Sequence, residues 1–134
     1  MSRQNKQSQN RFVTEQVKKV CLTSPNLECV EALFAINEEK PTQEIYLELI
    51  DEMVKRDDLT QAINAAKKAG KRGRYRLIHL GYVLWASDKR IMRAVRLFEA
   101  AGHVDGLIHC AHLLLEANFL KIGKIVLKKA AKIK

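Results

Sequence analysis

Four histidines fall within one third of this chain, His79, His103, His109 and His112, and they are the side chains whose spacing most readily suggests chemistry. His109 and His112, three apart and flanking Cys110, would share one face of a helix. Two imidazoles so placed could hold a metal ion if His79 reached in as a third ligand. The plainer expectation is that His79, His109 and His112 are polar groups lining a groove, with no bound metal and no cofactor. Their protonation would then make partner binding sensitive to mildly acidic pH.

Nucleophiles are harder to place. Ser2, Ser8, Ser24 and Ser87 lie in polar or turn-forming stretches, and Asp57-Asp58 and Glu38-Glu39 sit where helix ends are expected. A glycine-rich phosphate loop, a nucleophile elbow and a zinc-protease motif are all missing from the sequence. The expectation is a protein that is not an enzyme and has no catalytic residues.

Charge is the second source of chemistry. The formal net charge is +9, and it is segregated: residues 28–58 hold ten acidic and three basic residues, whereas residues 59–134 hold sixteen basic and four acidic ones. Lys67, Lys68, Lys71, Arg72, Arg74 and Arg76 cluster together, followed by Arg93 and Arg96. If these eight formed one face they would attract a polyanion, RNA or DNA included. Few aromatic residues are interleaved for base stacking, chiefly Tyr75, Tyr82 and Trp85.

The elements that position these groups follow from periodicity and punctuation. With 134 residues, two prolines and six glycines, the chain suits one domain. Residues 1–10 have no apolar residue after Met1 and are expected to be a disordered basic and polar tail. From Arg11 onward apolar residues recur at three- and four-residue spacing, which is the helical period, so about eight helices and no strands are expected. Pro41-Thr42, Asp58 with Gln61, Ser87-Asp88 and Asp105 read as helix starts, and Gly70 and Gly102 as left-handed helix ends. The longest stretches free of charge, Leu77–Ser87 and Gly106–Leu115, are too short to span a bilayer. An odd count of cysteines, Cys21, Cys29 and Cys110, behind a polar N-terminus points to a reducing, cytoplasmic setting.

The helices repeat. Leu59, Ala62, Ala65-Ala66 and Ala69-Gly70 recur as Ile91, Ala94, Leu97-Phe98 and Ala101-Gly102, then as Leu120, Gly123, Val126-Leu127 and Ala130-Ala131. A divergent copy precedes them at Leu27, Val30 and Leu33-Phe34. Partner helices align through Tyr46, Ile78 and Leu107, and through Ile50, Tyr82 and Ala111. Small residues at Ala62, Ala94 and Gly123 would let two helices cross closely, with the large residue four positions on filling the space between hairpins. On the same pattern Lys121 to Lys134 is expected to be a terminal cap, apolar inward and lysine-rich outward.

This pattern resembles the tetratricopeptide repeat, on Ala111, Gly123, Leu127 and Ala130, on Tyr82, Ala94, Phe98 and Ala101, and on Ile50, Ala62, Ala66 and Ala69. A weaker similarity to pentatricopeptide repeats, which read single-stranded RNA, rests on Thr42, Tyr46, Leu49 and Ile50. The resemblance implies an all-α, right-handed α-α superhelix, a short α-solenoid of about four helical hairpins with repeats near 11–41, 42–72, 73–104 and 105–134. It further implies a protein or peptide partner docked on a groove of first helices, lined here by Arg76, His79, Val83, Asp105, His109 and His112. RNA or DNA on the basic face is the alternative partner.

Overall fold

The computed structural model describes residues 15, 19, 26–36, 38–87 and 90–133. The expected tail over residues 1–10, the expected first helix of the opening hairpin and Asp88 lie outside the described residues. Among the described residues there are seven helices and no strands, and the fold is all-α. The helices form two compact units, residues 1–69 and residues 70–134.

In the first unit, helix α1 spans Leu27–Ile36, α2 Gln43–Lys55 and α3 Leu59–Ala69. Each start has a side-chain acceptor for orphan N–H groups. Asn26 Oδ1 accepts from the Cys29 N–H at 3.1 Å, Thr42 Oγ1 from Ile45 at 3.3 Å and Asp58 Oδ1 from Gln61 at 3.3 Å. The reciprocal half of the expected Asp58–Gln61 box is absent. Gln61 Oε1 instead accepts from the Leu27 N–H at 2.9 Å and ties the start of α1 to α3. Helices α2 and α3 form a hairpin in which Leu49, Ile50 and Met53 pack against Ala62, Ala65 and Ala66, all of them buried. The alanines allow the close approach.

In the second unit, α4 spans Lys71–Trp85, α5 Ile91–Ala100, α6 Val104–Glu116 and α7 Leu120–Ile133. Two hairpins result, α4 with α5 and α6 with α7, and they meet chiefly where α5 packs against α6, with lighter contacts of α4 on α6 and of α5 on α7. Phe98, fully buried, is the pin between them. Its ring lies where a Cβ at Gly81 of α4 would come within 2.6 Å, and a Cβ at Gly106 of α6 would come closer still. Gly123 of α7 serves α6 in the same way, receiving Leu115.

Helix ends are built alike. The N–H groups of Glu38 and Glu39, Asp57 and Asp58, Gly102 and His103, and Asn118 and Phe119 each bond back to the carbonyls of a finishing helix. The first residue of each pair has φ between 56° and 67°, the left-handed turn that closes a Schellman motif. Gly102 meets the sequence expectation, whereas Gly70, also at a positive φ of 68°, has ψ −138°, outside the left-handed helical region, and is the N-cap of α4. Glu38, Asp57 and Asn118 make the same turn as Gly102 with side chains. Asp105 is no cap: it lies one residue inside α6, whose N-cap is His103.

Candidate binding surface

Burial decides which side of each first helix is left for a partner. In α4 the buried residues are Gly73, Leu77, Gly81 and Leu84, and in α6 Gly106, Leu107, Cys110, Ala111 and Leu114. At 100° per residue, Arg76, His79 and Val83 then fall on one outward stripe of α4, joined by Arg72. Asp105, His109 and His112 form the matching stripe of α6. His79, Val83, Asp105, His109 and His112 are exposed and Arg76 is half-buried.

An aromatic seam joins the two helices. His109 lies 5.7 Å from Trp85 and 6.0 Å from Tyr82, ring to ring. Tyr82 in turn meets Phe98 edge-on at 4.8 Å, and its hydroxyl is 3.1 Å from His103 Nε2 at the start of α6. Burial first, then the charge of Asp105, pushes the Tyr82 hydroxyl above its ordinary pKa, so it stays a neutral hydrogen-bonding group. Trp85 Nε1 is buried at the seam without a hydrogen-bond partner in the protein. His112 reaches Glu116 at 3.0 Å, a pair that is ionic when the imidazole is protonated.

His79, His109 and His112 do not gather into a ligand set: among the described residues no three His, Cys, Asp or Glu side chains come together to hold a metal ion. Cys110 is sealed in the core, and burial pushes its thiol up to about 12, which keeps it protonated and unreactive.

The eight cationic residues are divided between the two units. Lys67 and Lys68 are exposed at the end of α3, in the first unit. In the second unit Lys71 and Arg72 are exposed, and Arg72 shares the outward stripe of Arg76. Arg74 is occupied, its Nε donating to the Ala101 carbonyl at 2.7 Å, where it closes the C-terminal end of α5. Gln43 does likewise in the first unit, donating from Nε2 to the Ala69 carbonyl at 2.7 Å. Arg96 is exposed and Arg93 half-buried, on the side of α5 turned away from its buried Ala94, Leu97 and Phe98. The hairpin thus separates Arg72 and Arg76 from Arg96. Tyr75 is exposed, with the Arg74 guanidinium 6.0 Å from its ring centre.

Helix α7 departs from a simple cap. Only Gly123, Val126 and Ala130 are buried, while Ile122, Ile125, Leu127 and Ile133 stay exposed beside the lysines. The inward face is small because Leu115 takes the room over Gly123.

Sequence reasoning passed over one concave feature. A groove of about 820 Å³ in the first unit is lined by Glu31, Ala32 and Ala35 of α1, Glu38 and Glu39 of the following loop, and Tyr46 of α2. Lys40 and Lys68 also border it. The excess of carboxylates over residues 28–58 was its only signal.

The chain matches no family model, no curated protein and no solved structure. No helix among the described residues is long and apolar enough to cross a membrane.

Proposed function

We propose that the chain is a non-catalytic helical-repeat module, of tetratricopeptide-like design, that docks a protein or peptide partner on the outward stripes of α4 and α6. The observation that carries this reading is the seam of His109, Trp85 and Tyr82, which holds the two stripes side by side and leaves Val83, 55% exposed, between histidines and charges. An apolar contact ringed by groups of both charge signs suits a peptide better than a phosphate backbone. The free thiols of Cys29 and Cys110 support a reducing setting such as the cytoplasm.

Affinity capture from a lysate, run with and without nuclease, tests the reading. A protein partner retained after nuclease supports it, and His79→Ala with His112→Ala should then weaken capture by about tenfold while the circular dichroism stays unchanged. Unaltered capture by that variant would move the site elsewhere. A nucleic-acid ligand is the second reading, favoured by Tyr75 standing exposed with the Arg74 guanidinium 6.0 Å from its ring centre. Loss of all partners on nuclease treatment would select it.

A further inference from the structure

We propose that copies of this chain associate head to tail, the lysine-flanked stripe of α7 in one copy seating in the acidic groove beside α1 in another. The inference is independent of the α4–α6 surface.

Leu120, Lys124 and Leu127 follow one another along α7 at four- and three-residue steps, so they form a single stripe. In α5 the same register, 29 residues earlier, is occupied by Ile91, Val95 and Phe98. There the next hairpin covers it, leaving Val95 3% exposed and Phe98 0%. In α7 the stripe is open: Leu120 is 56% and Leu127 40% exposed, with Phe119 exposed just ahead. No element among the described residues covers the corresponding face of α7.

Its lysines select the occupant. Lys121, Lys124 and Lys128 are exposed and border the two leucines. They form the middle of the outward side, with leucines on one flank and Ile122 and Ile125 on the other, so a bilayer laid on α7 would meet ammonium groups before apolar ones. Two α7 helices face to face would place like charges together. The groove offers the complement. Ala32, Ala35 and Tyr46 give it apolar wall, and Glu31, Glu38 and Glu39 outnumber Lys40 and Lys68 around it. Glu31 already acts inside it, since its charge, after burial, holds the Tyr46 hydroxyl above its ordinary pKa. Such a contact joins two different surfaces, so it propagates into chains unless the geometry closes a ring.

Sedimentation equilibrium of the full chain tests this. The weight-average mass should rise above 15.3 kDa with concentration and fall back as salt is raised. Lys124→Glu with Lys128→Glu, and separately Glu31→Lys with Glu38→Lys, should each weaken association at least about tenfold, with circular dichroism reporting an intact fold. An equal mixture of the two variants should associate again, because the unaltered groove of one meets the unaltered α7 of the other and the two reversed surfaces are complementary in turn. A wild-type chain that stays monomeric up to about 1 mM, where contacts of this kind would show, overturns the proposal. So does association that neither reversal weakens, or a mixture of folded variants that stays monomeric.

Discussion

The ring of Phe98 occupies the space that a side chain on Gly106 would need. One hairpin is thereby keyed into the next through the absence of an atom rather than the presence of one, with Gly81 forming the other wall of the slot.

Replacing either glycine by alanine should therefore destabilise the chain. In a helix interior the exchange ordinarily gains about 1 kcal/mol from propensity. Here overpacking against a fully buried ring costs about 1–3 kcal/mol, so a net loss is expected, larger for Gly106→Ala than for Gly81→Ala. Urea midpoints measure it. Adding Phe98→Leu to Gly106→Ala should recover part of the loss, and a midpoint that rises in Gly106→Ala alone would remove the slot from the account.

Gly102→Ala and Glu38→Gly isolate the backbone instead. Nothing lies within 4 Å of a Cβ at Gly102, so the cost there comes from its φ of 63°. About 1 kcal/mol should be lost. Glu38, held at φ 56°, runs the other way. Glycine there should raise the thermal midpoint, by an amount worth about 0.5 kcal/mol after the added freedom of the unfolded chain is counted.

Cys110 should make stability fall in alkali. Its thiol titrates near 12 in the folded chain against an ordinary 9.0, so the folded state holds a proton that the unfolded state gives up. Its contribution is complete below pH 9 and is lost as pH rises toward 12, with a slope of up to about 1.4 kcal/mol per pH unit. Tyr82, also raised, adds in the same direction above pH 10. Denaturation at stepped pH should show a shallower alkaline limb in Cys110→Ala than in the wild type.

Arg72→Ala and Arg74→Ala should separate ligand contact from architecture. Arg74 closes α5 through the Ala101 carbonyl, and its loss should cost about 1 kcal/mol of stability, reduced from the full value of a charged hydrogen bond by its exposure. If RNA binds, Arg72→Ala should lower the log-log salt slope by about 0.7, read by fluorescence anisotropy. An unchanged slope would take Arg72 out of any phosphate contact.

What the sequence made legible was local. Thr42 and Asp58 could be read as caps because the acceptor and its N–H lie three residues apart, and the burial of Ala62 and Ala94 follows from spacing within one helix. Gln61 could not be read, since its partner Leu27 lies 34 residues away. Arg74 counted as a free charge for the same reason: its partner, Ala101, is a carbonyl at the far end of a hairpin. Gly81 and Gly106 look like weak points of helices until the ring between them is seen. His79, His109 and His112 are exposed, and the seam beneath them depends on how α4 meets α6, which no periodicity encodes.

The pairing of most helices, from α2 onward, with a neighbour in sequence bears on how the chain comes together and comes apart. Short loops close such pairs at little entropic cost, so contacts can form one hairpin at a time and folding should be fast for this length. The same locality leaves little to hold the last element in place. Helix α7 is gripped by α6 and, more lightly, by α5, through Gly123, Val126 and Ala130. Its amide protons should exchange with solvent sooner than those of α5 or α6, and a partner that covered Leu127 would slow them first.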